Sequence, residues 1–164
     1  MNIFFLDTDP YGAAHSLCDK HVPKMLLESC QMLSTAIQRH TGRNENLYKP
    51  AYEKHPMTIW VGDTIDNFNW AFENALWISD EYECRFHKKH KSSRILDTIL
   101  SYGLYKEMPK LSKSFTNPPQ CMPEEYQLPT GAYVSAYRKY YQGAKAYFAK
   151  WERGVSAPEW WVHA

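Results

Sequence analysis

The chain has 164 residues, 44% of them hydrophobic and 15% aromatic, with a formal net charge of +1. This composition excludes a disordered chain, and a chain of this length buries a core without disulfide bonds. Because the charge is nearly balanced, any nucleic-acid surface must be a local patch.

The opening "MNIFFL" is apolar but short and lacks the basic flank of a signal peptide. It is also too short to span a membrane, which predicts a protein of the cytoplasm, that of the host cell if the gene belongs to a phage. The cysteines (Cys18, Cys30, Cys84 and Cys121) contain no CxxC pair, so we expect free thiols.

Two helices are predicted near the N-terminus, behind a short strand or extended arm formed by "MNIFFL". Asp9 followed by Pro10 is typical of a helix start, and this first helix is expected to reach about Leu17. The second is predicted to begin at Asp19, as N-cap, and to run to about His40.

The rest of the chain alternates loops and helices. Two prolines predict an ordered loop for "LYKPAYEKHPMTIWV". Helices are then predicted from Asp63 to His90, over "SSRILDTILSYGLY" and from about Gly131 to Trp151, with a five-proline loop over residues 106–130. We therefore predict an all-α, mainly helical, single compact domain spanning residues 1–164, with a short N-terminal extended arm and long proline-rich loops.

The stretch "CDKHVPKMLLE" raises the question of function. At 100° per residue, one face of its helix carries His21, Lys24, Glu28, Gln31 and Thr35, and the opposite face is apolar. That polar face is either solvated or an active site. Neighbouring methionine and leucine side chains favour a partly apolar cleft around Glu28. An imidazole, an amine and a carboxylate on successive turns can activate water, or supply an amine and a base to one substrate.

A metal site is a weaker interpretation of the same region. His15, Cys18 and His21 form HxxCxxH, but no fourth ligand is identified and the motif spans a predicted helix break. We expect no metal and no cofactor.

Three segments, taken in order, resemble a known family. Asp19, His21 and Glu28 reproduce the Asp-x-His element, with a glutamate seven residues after the histidine, of the phage pyrimidine-dimer DNA glycosylases and apurinic-site lyases of the endonuclease V type. "HPMTIWV" is similar to that family's proline-bearing loop, and "YRKYYQGAKAYFAKW" to its DNA-contacting C-terminal segment. The chain also resembles small phage proteins that share the signature "CDKHVxKM".

Two departures from the family pattern bear on mechanism. The family's lyase activity uses the amine of a small second residue, whereas residue 2 is Asn2, whose size disfavours removal of the initiator Met. The amine of Met1 or Lys24 would have to replace it, or Glu28 would direct a water. The family's arginines are also missing, with Leu27 and Gln31 in the nearest matching places.

Phosphate contacts would then come from other basic residues. The candidates are "RFHKKHKSSR", residues 85–94, together with Arg138, Lys139 and Lys145 on the last helix. Basic residues interleaved with tyrosines grip phosphates and stack bases, although a solvated basic helix end has the same composition.

These observations favour an enzyme: an N-glycosidase acting on a damaged or modified base in DNA, either hydrolytic or with apurinic-site lyase activity. Glu28 would be the general base or would stabilise an oxocarbenium-like sugar. His21 would hold phosphate or sugar, Lys24 would orient Glu28 or act as the amine, and Asp19 completes the catalytic set. The substrate-binding candidates are Asn2, His15, Gln31, Tyr48, Tyr52, His55, Trp60, Arg138 and Lys139.

Tyr48, Tyr52 and Trp60 are expected to line the pocket for an exposed base. One alternative is a phage enzyme hydrolysing a free nucleotide or nucleoside, which the near-neutral charge favours. Another is a non-catalytic interaction module anchored by Trp160 and Trp161. The expected partner is DNA or a nucleotide, and not a membrane.

Overall fold

Helices provide the regular structure of the protein. In the computed structural model, which describes residues 1–108 and 114–162, no β-strand is found, and the predicted all-α single domain is confirmed. The α-helices are α1 (Pro10–His15), α2 (His21–Thr41), α3 (Pro56–Asp63), α4 (Ile65–Phe86), α5 (Ser93–Ser101) and α6 (Tyr133–Ala144). No helix within these described ranges is both long and apolar enough to cross a bilayer.

The N-terminal arm, residues 1–6, is extended and packs between helices. Phe4 stacks on His21 of α2, with ring centroids 4.8 Å apart. On its other sides Phe4 contacts Tyr137, Tyr140 and Tyr141 of α6. Because the arm lies between α2 and α6, it holds the start of the chain against the polar face of α2.

The first two helices begin almost where the sequence predicts. Asp9 caps α1 by accepting a hydrogen bond from the Gly12 N–H, with Pro10 as the first helical residue. The prediction of Asp19 as the N-cap of α2 is wrong, since the cap is Lys20. The carboxylate of Asp19 instead binds Arg85 and the backbone N–H of Glu152.

The loop predicted around "HPMTIWV" is wrong, because this segment forms α3. Pro56 is the first helical residue, where proline's missing N–H has no cost. His55 caps the helix, its Nδ1 accepting from the Met57 N–H at 3.1 Å. Asp63 consequently ends α3, and Thr64, rather than Asp63, caps α4.

The central helix α4 packs against α1, α2 and α3 and supplies much of the core. Helical spacing in the sequence predicts one inward-facing row on this helix, formed by Ile65, Phe68, Phe72, Leu76 and Ser79. Phe68 and Phe72 are buried, and the other three residues of the row are half-buried. The helix ends at Phe86 because His87 adopts a left-handed backbone, φ +55°, so the predicted extension to His90 does not form.

The C-terminal half returns to the start of α2. Helix α6 ends at Ala144, seven residues before the predicted end at Trp151. The Asp19 N–H then donates to the Lys150 carbonyl at 2.9 Å. Residues 109–113 of the predicted proline-rich loop lie outside the described residues, and in the rest of that loop only short 3-10 turns form.

Arg85 is a buried charge that joins these elements. Only 1% of it is exposed, and it donates to the carboxylates of Glu81 and Asp19. It also donates to the carbonyls of His15 and Leu17. One guanidinium therefore ties the end of α4 to the segment between α1 and α2.

Candidate functional site

Glu28 lies where the first two residues of the arm cross α2. Its Oε2 accepts a hydrogen bond from the backbone N–H of Asn2 at 2.9 Å. The α-amine of Met1 lies 3.6 Å from the same oxygen. The Glu28 side chain is 15% exposed, so the carboxylate is sheltered by the arm and does not extend freely into solvent.

Asn2 fixes the arm through its side chain. Its Nδ2 donates to the carbonyl of Cys121 at 2.9 Å, and its Oδ1 accepts from the Tyr137 hydroxyl at 3.0 Å. We call Met1, Asn2, Glu28, His55, Cys121 and Tyr137 the N-terminal cluster. Within it, Asn2 has the contacts of an anchor for the chain start.

His55 and Cys121 add two titratable groups to this cluster. Burial, reinforced by the positive N-terminal amine, lowers the pKa of His55, and the Glu28 carboxylate opposes that shift. Since Nδ1 of His55 accepts from Met57, the neutral ring carries its proton on Nε2. Burial raises the pKa of the Cys121 thiol, and nearby hydrogen-bond donors and the positive amine oppose this shift. Because the net shift is upward, the protonated thiol is favoured.

His21 is enclosed by aromatic rings on the α6 side of α2. It is 3% exposed, and its Nδ1 lies 2.8 Å from the Tyr141 hydroxyl. Burial, with the nearby charges of Lys145, Lys24 and Lys20, lowers the pKa of His21 to about 3. A neutral imidazole in such a position has a packing role, and the predicted contact with phosphate or sugar receives no support.

The other catalytic candidates make no hydrogen bond to the N-terminal cluster that the described residues show. Asp19 is bound to Arg85, and Lys24 lies one turn before Glu28 on α2 with its side chain exposed. Gln31, a substrate-binding candidate, is half-buried on the same face of α2. Of the four catalytic candidates, only Glu28 contacts the arm through a hydrogen bond that the described residues show.

The predicted aromatic pocket is not assembled from the three expected residues. The Tyr48 hydroxyl lies 2.9 Å from Ser92 Oγ, Tyr52 is 67% exposed, and buried Trp60 donates to the Thr116 carbonyl. Tyr48 and Trp60 line different cavities, of about 440 and 470 Å³. His15 lies at the end of α1, with its Nδ1 2.6 Å from Glu81 Oε1 of α4.

Some of the basic candidates are held by contacts within the protein, and others line a cavity at the surface. Arg138 donates to the Leu6 carbonyl and lies over the Trp160 ring, and Lys139 donates to the Glu125 carbonyl. In the segment 85–94, Arg85 is buried. The residues that follow it help to form what we call the basic pocket, lined by Leu27, Tyr48, Tyr82, Lys88, Lys89, His90, Lys91 and Ser92.

Two members of the N-terminal cluster were not predicted from the sequence. Cys121 and Tyr137 reach Asn2 across 119 and 135 residues of chain. No local pattern marks such distant partners. Trp160 and Trp161, the predicted anchors of an interaction module, are half-buried and contact Tyr141.

The described residues contain no group of three or more His, Cys, Asp or Glu side chains placed to hold a metal ion. All four cysteines are free thiols, as predicted. Comparison of the chain with known protein families, with curated proteins and with solved structures finds no match. The resemblance to the glycosylase and lyase family therefore stays a prediction.

Proposed function

We propose that this protein is an N-glycosidase that removes a damaged or modified base from DNA, with Glu28 as its catalytic carboxylate. The observation that supports this proposal is the position of Glu28 Oε2, sheltered beside the Asn2 N–H and 3.6 Å from the Met1 α-amine. The family that the chain resembles combines a catalytic glutamate with an amine near the chain start. A carboxylate can serve hydrolytic base excision by itself, and an amine beside it is the additional group that the lyase route needs.

Two routes use these groups. In hydrolysis, Glu28 accepts a proton from a water whose oxygen attacks the sugar C1′, and the base leaves with the electron pair of the N–C1′ bond. In the lyase route, the unprotonated amine attacks C1′ instead, the base leaves with the electron pair of the N–C1′ bond, and Glu28 accepts one amine proton. The C1′–O4′ bond then breaks to open the sugar ring, O4′ takes the second amine proton, and a C1′=N imine remains. The Met1 amine is favoured over Lys24 in this role because it lies beside Glu28.

Glu28 also contributes by its charge. The sugar becomes positively charged as the base departs, and a carboxylate held at that place stabilises this charge. Neutral His55, with its proton on Nε2, is a donor for an oxygen of the sugar or of the departing base. Its place in the N-terminal cluster keeps it among the substrate-binding candidates.

The test is a base-release assay with borohydride trapping on oligonucleotides that carry an abasic site or a modified base. Glu28→Gln keeps the size of the side chain and removes the charge, and we expect release to fall by about 100-fold or more. Glu83→Gln, on the exposed side of α4, is the matched control and is expected to keep full activity. A trapped adduct identifies the imine route, and release without trapping identifies hydrolysis. Equal release by the two variants refutes the role of Glu28.

A second candidate is an enzyme that hydrolyses a free nucleotide or nucleoside. The net charge of +1 and the limited size of the basic pocket, about 440 Å³, favour a small substrate. If no oligonucleotide releases a base and mononucleotides bind saturably with little salt dependence, this candidate replaces the first.

A further inference from the structure

The basic pocket combines positive charge with aromatic walls. Lys88, Lys89 and Lys91 follow the end of α4 and all line it, and none of its eight lining residues is acidic. Arg94 adds a further cation, its guanidinium carbon lying 5.0 Å from the centre of the Tyr48 ring. Positive charge with no carboxylate among the lining residues favours an anionic ligand.

The aromatic walls are fixed before any ligand binds. The Tyr48 hydroxyl lies 2.9 Å from Ser92 Oγ, which orients the ring. Tyr82 stacks on Phe86 with centroids 4.8 Å apart, and the His90 ring lies perpendicular to Tyr82 at the same centroid distance. Rings held in this way provide a surface for a planar group at low cost in conformational entropy.

His90 contributes shape more than charge. Its Nδ1 accepts the Ser92 N–H at 3.0 Å, which fixes the turn that carries the lysines. Burial lowers the pKa of His90, so the ring is neutral at neutral pH. The positive charge of the pocket is therefore that of its lysines and of Arg94.

The basic pocket lies beside Glu28 on the surface of α2. Leu27 lines the pocket and precedes Glu28, and at 100° per residue Lys24 and Gln31 fall between these two directions. Both intervening side chains retain solvent exposure. A strand that entered the pocket would therefore continue along this strip toward the carboxylate.

We propose that the basic pocket binds one nucleotide unit, with its phosphate on the lysines and its base against Tyr48 and Tyr82. A volume of about 440 Å³ lies within the range of sites for small organic ligands, which is about 300–1,000 Å³. The choice of a nucleotide as ligand rests on the proposed function. The unit belongs either to the DNA strand that carries the target base or to a free nucleotide.

The first test measures binding of the full chain to a labelled duplex that carries a tetrahydrofuran abasic analogue, by fluorescence anisotropy at several salt concentrations. Lys88→Gln/Lys91→Gln is expected to weaken binding about 10-fold and to lower the slope of log K against log salt by about 1 to 2. The matched control Lys106→Gln/Lys150→Gln removes the same charge from exposed positions elsewhere and is expected to bind within about two-fold of the wild type.

The second test addresses the aromatic wall. Tyr48→Leu is expected to weaken binding about five-fold or more, the loss of one stacking contact, whereas Tyr48→Phe keeps the ring and should restore most of the affinity. A merely structural role for the hydroxyl would weaken the Phe variant as much as the Leu variant. That outcome contradicts the stacking contact.

A titration with thymidine 5′-monophosphate, and with thymidine as its phosphate-free control, identifies the source of the nucleotide. Amide resonances of residues 88–92 should shift with the monophosphate and much less with the nucleoside. Binding of the monophosphate without binding of the duplex assigns the pocket to a free nucleotide. If the lysine pair changes neither duplex nor monophosphate affinity, the proposal is overturned.

The pocket and the glycosidase proposal fail separately. If wild-type protein releases no base while Lys88→Gln/Lys91→Gln loses nucleotide affinity, the pocket stands and the glycosidase is refuted. If base release depends on Glu28 while the lysine pair binds as the wild type does, the glycosidase stands and the pocket is refuted.

Discussion

Replacing Arg85 by leucine should cost more stability than any surface change. The guanidinium is 1% exposed and donates to two carboxylates, those of Glu81 and Asp19, at 2.8 and 3.2 Å. It also donates to the carbonyls of Leu17 and His15, at 2.6 and 3.0 Å. Leucine supplies none of these donors, so two largely buried carboxylates lose their cation.

The magnitude follows from the buried partners. Breaking a buried ion pair by removing one member costs about 3–5 kcal/mol, because the remaining charges are left in a poorly solvated site. For a protein of this size, each kcal/mol lowers Tm by about 2–4 °C. Arg85→Leu should therefore lower Tm by about 6–20 °C, a range that combines the two estimates.

Urea unfolding followed by tryptophan fluorescence measures the change as a shift in midpoint at constant slope. Arg43→Leu is the control, because the pair of Arg43 with Glu107 lies at the surface and its loss should cost no more than about 1 kcal/mol. If Arg85→Leu cost as little as Arg43→Leu, the buried network would not hold α4 to the segment before α2.

Three further predictions concern single positions. The pKa of His21 is lowered from 6.5 to about 3, so between these pH values the unfolded chain binds a proton that the folded chain does not, and stability is lost as the pH falls below 6.5. The urea midpoints at pH 7 and pH 5 should therefore differ less in His21→Phe than in the wild type, and an unchanged difference contradicts the pKa assigned to His21. Thr58 Oγ1 is buried without a hydrogen-bond partner among the described residues, so Thr58→Val should raise stability by about 1 kcal/mol in the same assay, and a loss would show that the hydroxyl is satisfied. A Cβ on Gly143 would lie 2.5 Å from the Tyr126 ring, so Gly143→Ala should lower Tm despite alanine's higher helix propensity, whereas a higher Tm would mean that the ring moves freely.

The sequence predicted the parts of the fold that depend on local chemistry. Asp9 and Pro10 mark the start of α1 because capping and a fixed φ act within a few residues. The same signal occurs at His55 and Pro56, where the two prolines of the segment predict a loop although Pro56 starts α3. Proline is compatible with a loop and with the first position of a helix. Only the cap made by the side chain before the proline distinguishes these two cases.

The candidate site was predictable only in part. Helical spacing places Glu28 on the polar face of α2, but the same spacing placed His21 beside it. The structure separates the two, because Phe4 and the aromatic residues of α6 enclose His21 while Met1 and Asn2 cover Glu28. Which side chain an arm covers depends on contacts between distant segments, which periodicity does not contain.

The location of the Met1 amine beside Glu28 affects how the protein should be produced for study. A purification tag fused ahead of Met1 would turn that amine into an amide and would add chain beside the carboxylate. If the proposed lyase route operates through Met1, protein carrying such an extension would lack the free amine that forms the imine. Recombinant material should therefore carry its handle at the opposite terminus, with the first residue verified by mass spectrometry.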